Sequence, residues 1–160
     1  DVAFNAQKLT GVADPALAQD GATKNYVDTQ IAAVSPAEKC VDRGDPAEHD
    51  FTEADLTIDS GWHDLSLAAI VPAEAANKFV LLRVEVTCSA AGAQFYFRKN
   101  GNANERVSTG VRTPVANQQM SSMCGVFCDA DRVIEYLGNP AVGAFTLIRI
   151  TVVGWTVDAT

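Results

Sequence analysis

The clearest pattern along the chain is an alternation of apolar and polar side chains with period two. Over residues 78–88 the apolar Val80, Leu82, Val84 and Val86 fall on one face while Arg83 and Glu85 fall on the other, which predicts a half-buried strand. Segments of similar character span residues 51–58, 62–67, 94–100, 121–128, 133–137 and 145–157. Turn chemistry separates them: Asn100-Gly101, the acidic run Cys128-Asp-Ala-Asp131 and Gly138-Asn-Pro140 each supply residues suited to tight turns. Residues 72–77, Pro-Ala-Glu-Ala-Ala-Asn, read as one helical turn within a connection. Regular strands and turns without intervening helices predict a mainly β protein, with residues 51–160 folded as an antiparallel β-sandwich of jelly-roll-like form.

The first part of the chain has a different period. Asp14-Pro15 sets a turn, and from Ala22 to Val34 neither proline nor glycine interrupts a helix until Ser35-Pro36 stops it. Val27, Ile31 and Val34 step by 4 and then 3, the spacing of a coiled-coil seam, with Lys24 one step before. The seam is narrow, as expected where helices of several chains pack on one another. A helix of about 13 residues is marginal alone in water, so partners must stabilise it. The alternative reading is an amphipathic helix docked on its own domain. Residues 37–50 are polar and aperiodic and read as a linker or arm.

The residues Leu9-Thr-Gly-Val-Ala-Asp-Pro15 and Ala18-Gln-Asp-Gly-Ala-Thr-Lys-Asn-Tyr-Val-Asp28 resemble a repeat found in tail-fibre and other fibrous virion proteins of bacteriophages. The resemblance spans roughly a fifth of the chain. It implies a homotrimer in which residues 1–36 attach and trimerise, with Lys24, Val27, Ile31 and Val34 at the interface. It also implies location in the virion, assembled in the host cytoplasm beside other virion structural proteins. Gly21 departs from the repeat, which more often has alanine there, and would weaken a helical first turn by about 1 kcal/mol. The order of the later segments, from Trp62 through Phe97-Arg-Lys-Asn-Gly101 to Trp155, is similar to distal β-domains of such fibres. That likeness implies a displayed head, attached to the particle or binding a host-surface glycan or protein. A capsid decoration protein and a stand-alone carbohydrate-binding module are the alternatives.

Composition narrows the function classes. The chain has 160 residues, 48% hydrophobic and 20% charged, which suits one globular domain with a short appendage. It begins at Asp1, so a processed product, a fragment or part of a longer chain is expected. No apolar run is long enough to cross a membrane as a helix, and Asp1-Val-Ala-Phe-Asn5 lacks the features of a signal peptide. The net charge of −8 argues against a nucleic-acid partner or an anionic membrane surface, both of which need clustered Lys and Arg. Cys40, Cys88, Cys124 and Cys128 have neither disulfide nor zinc spacing: residues four apart on a strand are about 13 Å apart. Buried free thiols are expected instead, in keeping with a reducing cytosol.

Candidate chemistry is thin. His63 and Asp64 would point to opposite faces of a strand, so no triad with Ser60 or Ser66 is expected. Glu53, Asp55, Asp59, Asp64, Glu85 and Glu135 supply carboxylates for a glycosidase pair, but solvated surface acids are the simpler reading. Residues 42–50 and 128–131 lack the ordered loop of a calcium site. The expectation is a protein that is not an enzyme and needs neither metal nor cofactor. For sugar binding the candidate residues are Trp62, Tyr96, Arg98 and Asn100, since aromatic rings stack on pyranose faces while polar neighbours bond hydroxyls.

Overall fold

The computed structural model describes residues 37–159. The expected helix and the residues Lys24, Val27, Ile31 and Val34 lie outside them. Nine strands follow in order: β1 (Glu38–Asp42), β2 (Phe51–Thr52), β3 (Trp62–Ser66), β4 (Phe79–Cys88), β5 (Gln94–Lys99), β6 (Thr109–Arg112), β7 (Met120–Phe127), β8 (Val133–Asn139) and β9 (Phe145–Asp158). They form a five-stranded sheet, β1-β9-β4-β7 with β2 also on β9, and a four-stranded sheet, β3-β8-β5-β6. All pairings are antiparallel, so the mainly β expectation holds. From β2 to β9 every connection crosses between the sheets except the one joining β5 to β6.

The inward side chains of both sheets form one apolar cluster. Val80, Leu82, Val84 and Val86 of β4 meet Ile148, Ile150 and Val152 of β9, all fully buried. The alternation seen in the sequence is therefore the inward face of the central strand. Phe95 is the hub on the other sheet, stacked on Tyr136 at 6.0 Å and edge-on to Phe97 and Phe145 at 5.4 and 5.9 Å. Buried Tyr136 is also satisfied at its polar end, where its hydroxyl accepts from the Thr57 amide at 2.7 Å, as a buried phenol requires.

The β4–β9 register shifts between Leu81 and Leu82: Leu81 lies opposite Gly154 and Leu82 opposite Val152. Val153 is the extra residue of a bulge. From Ile148 to Val152 the even-numbered residues of β9 face inward; after the bulge Trp155 and Val157 join the core cluster. A second shift, between Thr87 and Cys88, skips Thr146 and leaves Phe145 packed on the core, so two inserted residues let a 14-residue strand keep an apolar inner face along its whole length.

Several segments differ from the sequence reading. Residues 37–50 are not simply a linker, because β1 pairs with β9 over Glu38–Asp42. It is an edge strand with mostly exposed side chains, so it carries no apolar alternation. Residues 51–58 are a strand only at Phe51–Thr52 and then turn through Glu53–Asp55, where the Thr52 amide donates to Asp55 at 2.8 Å. β6 was not visible in the sequence, and residues 72–77 hold the expected single turn, at Ala73–Ala75. All four cysteines are free, but Cys40 is exposed while Cys88, Cys124 and Cys128 are buried; Cys40 sits on the edge strand, which buries little.

Phe95→Ala should lower stability by about 3–5 kcal/mol, because it removes the ring on which three others pack. Val142→Ala, at a position 93% exposed, should change it by less than about 0.5 kcal/mol. Urea midpoints of the two variants at an unchanged slope would measure the contrast.

Candidate functional site

Three of the four residues expected to bind sugar, Trp62, Tyr96 and Arg98, lie on the outer face of the four-stranded sheet. Trp62, Leu137 and Tyr96 occupy one row across β3, β8 and β5, and Asp64, Glu135 and Arg98 occupy the next. Arg98 is committed within this surface. Its guanidinium lies 4.0 Å from the centroid of the Trp62 ring, and its Nε and Nη2 donate to Glu135 at 2.6 and 3.3 Å. Such a bidentate pair, only 8% exposed at Arg98, is satisfied by its own neighbours. Tyr96 lies across the backbone of Gly110, where any Cβ would fall 2.4 Å from the ring. The sheet therefore brings Trp62, Tyr96 and Arg98 side by side.

Asn100 stands apart from them. Its side-chain amide donates to Asp129 at 2.7 Å, and the same carboxylate accepts from the amides of Val133 at 2.8 Å and Asp131 at 2.9 Å. Asp129 thus ties the β7–β8 turn, in which Arg132 has a φ of 61°, to the end of β5. Burial raises the Asp129 pKa, but the Val133 amide, Asn100 and the Asp131 amide outweigh it, and the carboxyl lies below its ordinary value. His63 and Asp64 do face opposite ways: His63 Nε2 lies 2.7 Å from Asp59, whereas Asp64 is exposed. The His63 bond, followed by the Gly61 amide, lowers the Asp59 pKa. Among the described residues no group of three His, Cys, Asp or Glu is placed to hold a metal ion.

The outer face of the five-stranded sheet has two unlike ends. Beside β1 it is apolar. Phe79 and Phe127 stand opposite each other with ring centroids 5.4 Å apart, and Phe79 covers Gly125, where a Cβ would fall 2.0 Å from its ring. Phe127 is 50% exposed there, and Met123, opposite Arg83 where the face turns charged, is 51% exposed. Leu81, Cys40, Trp155 and Val153 line a shallow groove of about 350 Å³ next to these rings.

Farther along β4 and β9 the same face becomes charged. Arg83 and Glu85 of β4 lie opposite Thr151 and Arg149 of β9, and Asp45 to His49 rise beside them as a rim. The open cleft between them holds about 780 Å³. Glu85, 7% exposed, receives Arg83 Nη2 at 2.7 Å and lies 4.0 Å from Arg149 Nη1. The rim is fixed at both feet: Arg43 binds the Asp50 carboxylate and donates to the Val152 carbonyl at 3.1 Å, while the Val152 amide donates to Asp50 at 2.7 Å. His49 Nδ1 lies 3.0 Å from the Thr151 hydroxyl, joining rim to floor. None of the four residues expected to bind sugar lines this cleft. Strand alternation placed Arg83 and Glu85 together, but Arg149 joined them only through the register.

The chain matches no protein-family model and no curated protein.

Because the folded Asp129 pKa is depressed, its contribution to stability is present above the unfolded value of about 3.9 and is lost as pH falls through the folded value. Urea midpoints measured from pH 6 down to about 2.5 should therefore fall less steeply below pH 4 for Asp129→Asn than for the parent. Equal slopes would show that Asp129 is not an acid-sensitive tie.

Proposed function

We propose that this chain is a homotrimeric structural protein of a bacteriophage fibre, located in the virion. In this reading residues 1–36 attach and trimerise, and the following β domain is a jelly-roll-like sandwich displayed as a head. The repeat-like segment between Leu9 and Asp28 suggests the fibre. The interleaved strand order of the two sheets, β1-β9-β4-β7 and β3-β8-β5-β6, supports the jelly-roll form.

The observation that carries the reading is the apolar end of the five-stranded sheet. Phe127 is half exposed beside Phe79 and Leu81, with half-exposed Met123 farther along the same strand face opposite Arg83, and exposed apolar surface of this kind suits association. A second copy of this chain is the partner that fits best. The preceding chain enters the domain at β1, whose Cys40 and Val41 line the groove beside Phe79 and Leu81. The remaining head surface is then free for other virion proteins or for a host-surface glycan or protein.

Light scattering behind a sizing column tests this on the full chain, and a mass of three times 17.0 kDa is expected. Ile31→Asp should reduce that mass by placing a charge in the helical seam, and Phe127→Asp should reduce it by placing one in the apolar face. A parent chain that elutes with the mass of a single copy would sink the proposal.

A further inference from the structure

We infer that the cleft between Asp45–His49 and the β4–β9 floor binds an acidic saccharide, with the sugar carboxylate on Arg83 and Arg149 and ring hydroxyls on Asp45 and Glu48. The inference stands on this cleft alone and holds whether or not the chain is a fibre. Its volume, about 780 Å³, lies within the ordinary range of small-ligand sites.

The charges choose the ligand class. Arg83 and Arg149 are cations at any physiological pH, and their side chains are 56% and 44% exposed. Buried Glu85 lies between them and takes a close bond only from Arg83. Most of their N–H donors are therefore left for a ligand, and the planar fork of a guanidinium matches a carboxylate. Arg98 on the other sheet is the opposite case, enclosed by Glu135 and Trp62. Yet the lining also carries Asp45, Glu48 and Glu85, three carboxylates against two guanidiniums. A phosphate or a polyanion would be repelled by that excess, whereas a monoanion rich in hydroxyls would donate to the carboxylates what it receives from the arginines. Pro46, Ala47 and Val153 add apolar surface for the C–H face of a sugar ring.

The site is also built before the ligand arrives. The Arg43–Asp50 pair anchors the rim to β9, and His49 ties it to Thr151, so little ordering cost remains for binding.

Isothermal titration of the full chain with methyl galacturonide, a monoanion, tests the inference, with glucose and inorganic phosphate as comparison probes. Binding of the uronide at least about tenfold tighter than of either comparison probe is expected, as is a loss of about tenfold or more in Arg149→Gln and in Arg83→Gln. Unchanged thermal midpoints of those variants would confirm that the loss is not unfolding. Phosphate binding as tight as the uronide would overturn the inference, as would uronide binding indifferent to both substitutions. Failure of the parent to bind would also overturn it.

Discussion

The antiparallel pairing of β4 with β9 is the interaction on which the rest of this domain depends. β1, β2 and β7 all attach to one member of that pair, and its inward valines and isoleucines form one wall of the core. Its outward residues contribute to both the apolar end and the charged cleft of the five-stranded sheet. The bulge at Val153 is the critical detail, because without an extra residue Trp155 and Val157 would turn away from the core. A strand that long could not otherwise keep its apolar side inward while the sheet twists.

Two arginine environments on opposite sheets show how similar chemistry can serve different ends. Arg98 is enclosed by a bidentate carboxylate and an indole face, so its charge is answered within the fold. It holds β5, β8 and β3 in lateral register. Arg83 and Arg149 share a single buried carboxylate and keep most of their donors turned to the cleft. Composition alone does not separate these roles. The sequence suggested Arg98 as a ligand residue because it is a polar neighbour of Tyr96, yet the Glu135 carboxylate and the Trp62 ring occupy it.

What could be read beforehand follows from how local each signal is. The alternation of β4, the Asn100-Gly101 turn and the acidic turn after Cys128 depend on near neighbours, and each appears where the pattern put it. β1 left no trace because an edge strand with exposed side chains has no apolar period to display. The stretch after Phe51 looked like a strand because Leu56 and Ile58 are apolar, but they pack on the core from a loop whose backbone Tyr136 holds. The cleft was illegible for a different reason. Arg149 stands opposite Glu85 only because of a strand register, and register is a property of two distant segments and their bulges.

β1 also determines how the domain bears load. Whatever precedes Ala37 is joined to the domain through this strand, whose ladder runs from Glu38 opposite Asp158 to Asp42 opposite Gly154. Lys78 reinforces its first residue by reaching both Glu38 and Asp158, at 2.9 and 2.6 Å. The ladder hydrogen bonds lie perpendicular to the strand. A pull along β1 therefore strains them all at once, in shear, whereas a pull across it would open them one after another from the Lys78 end. Tension applied in line with the strand meets the domain in its mechanically strong direction.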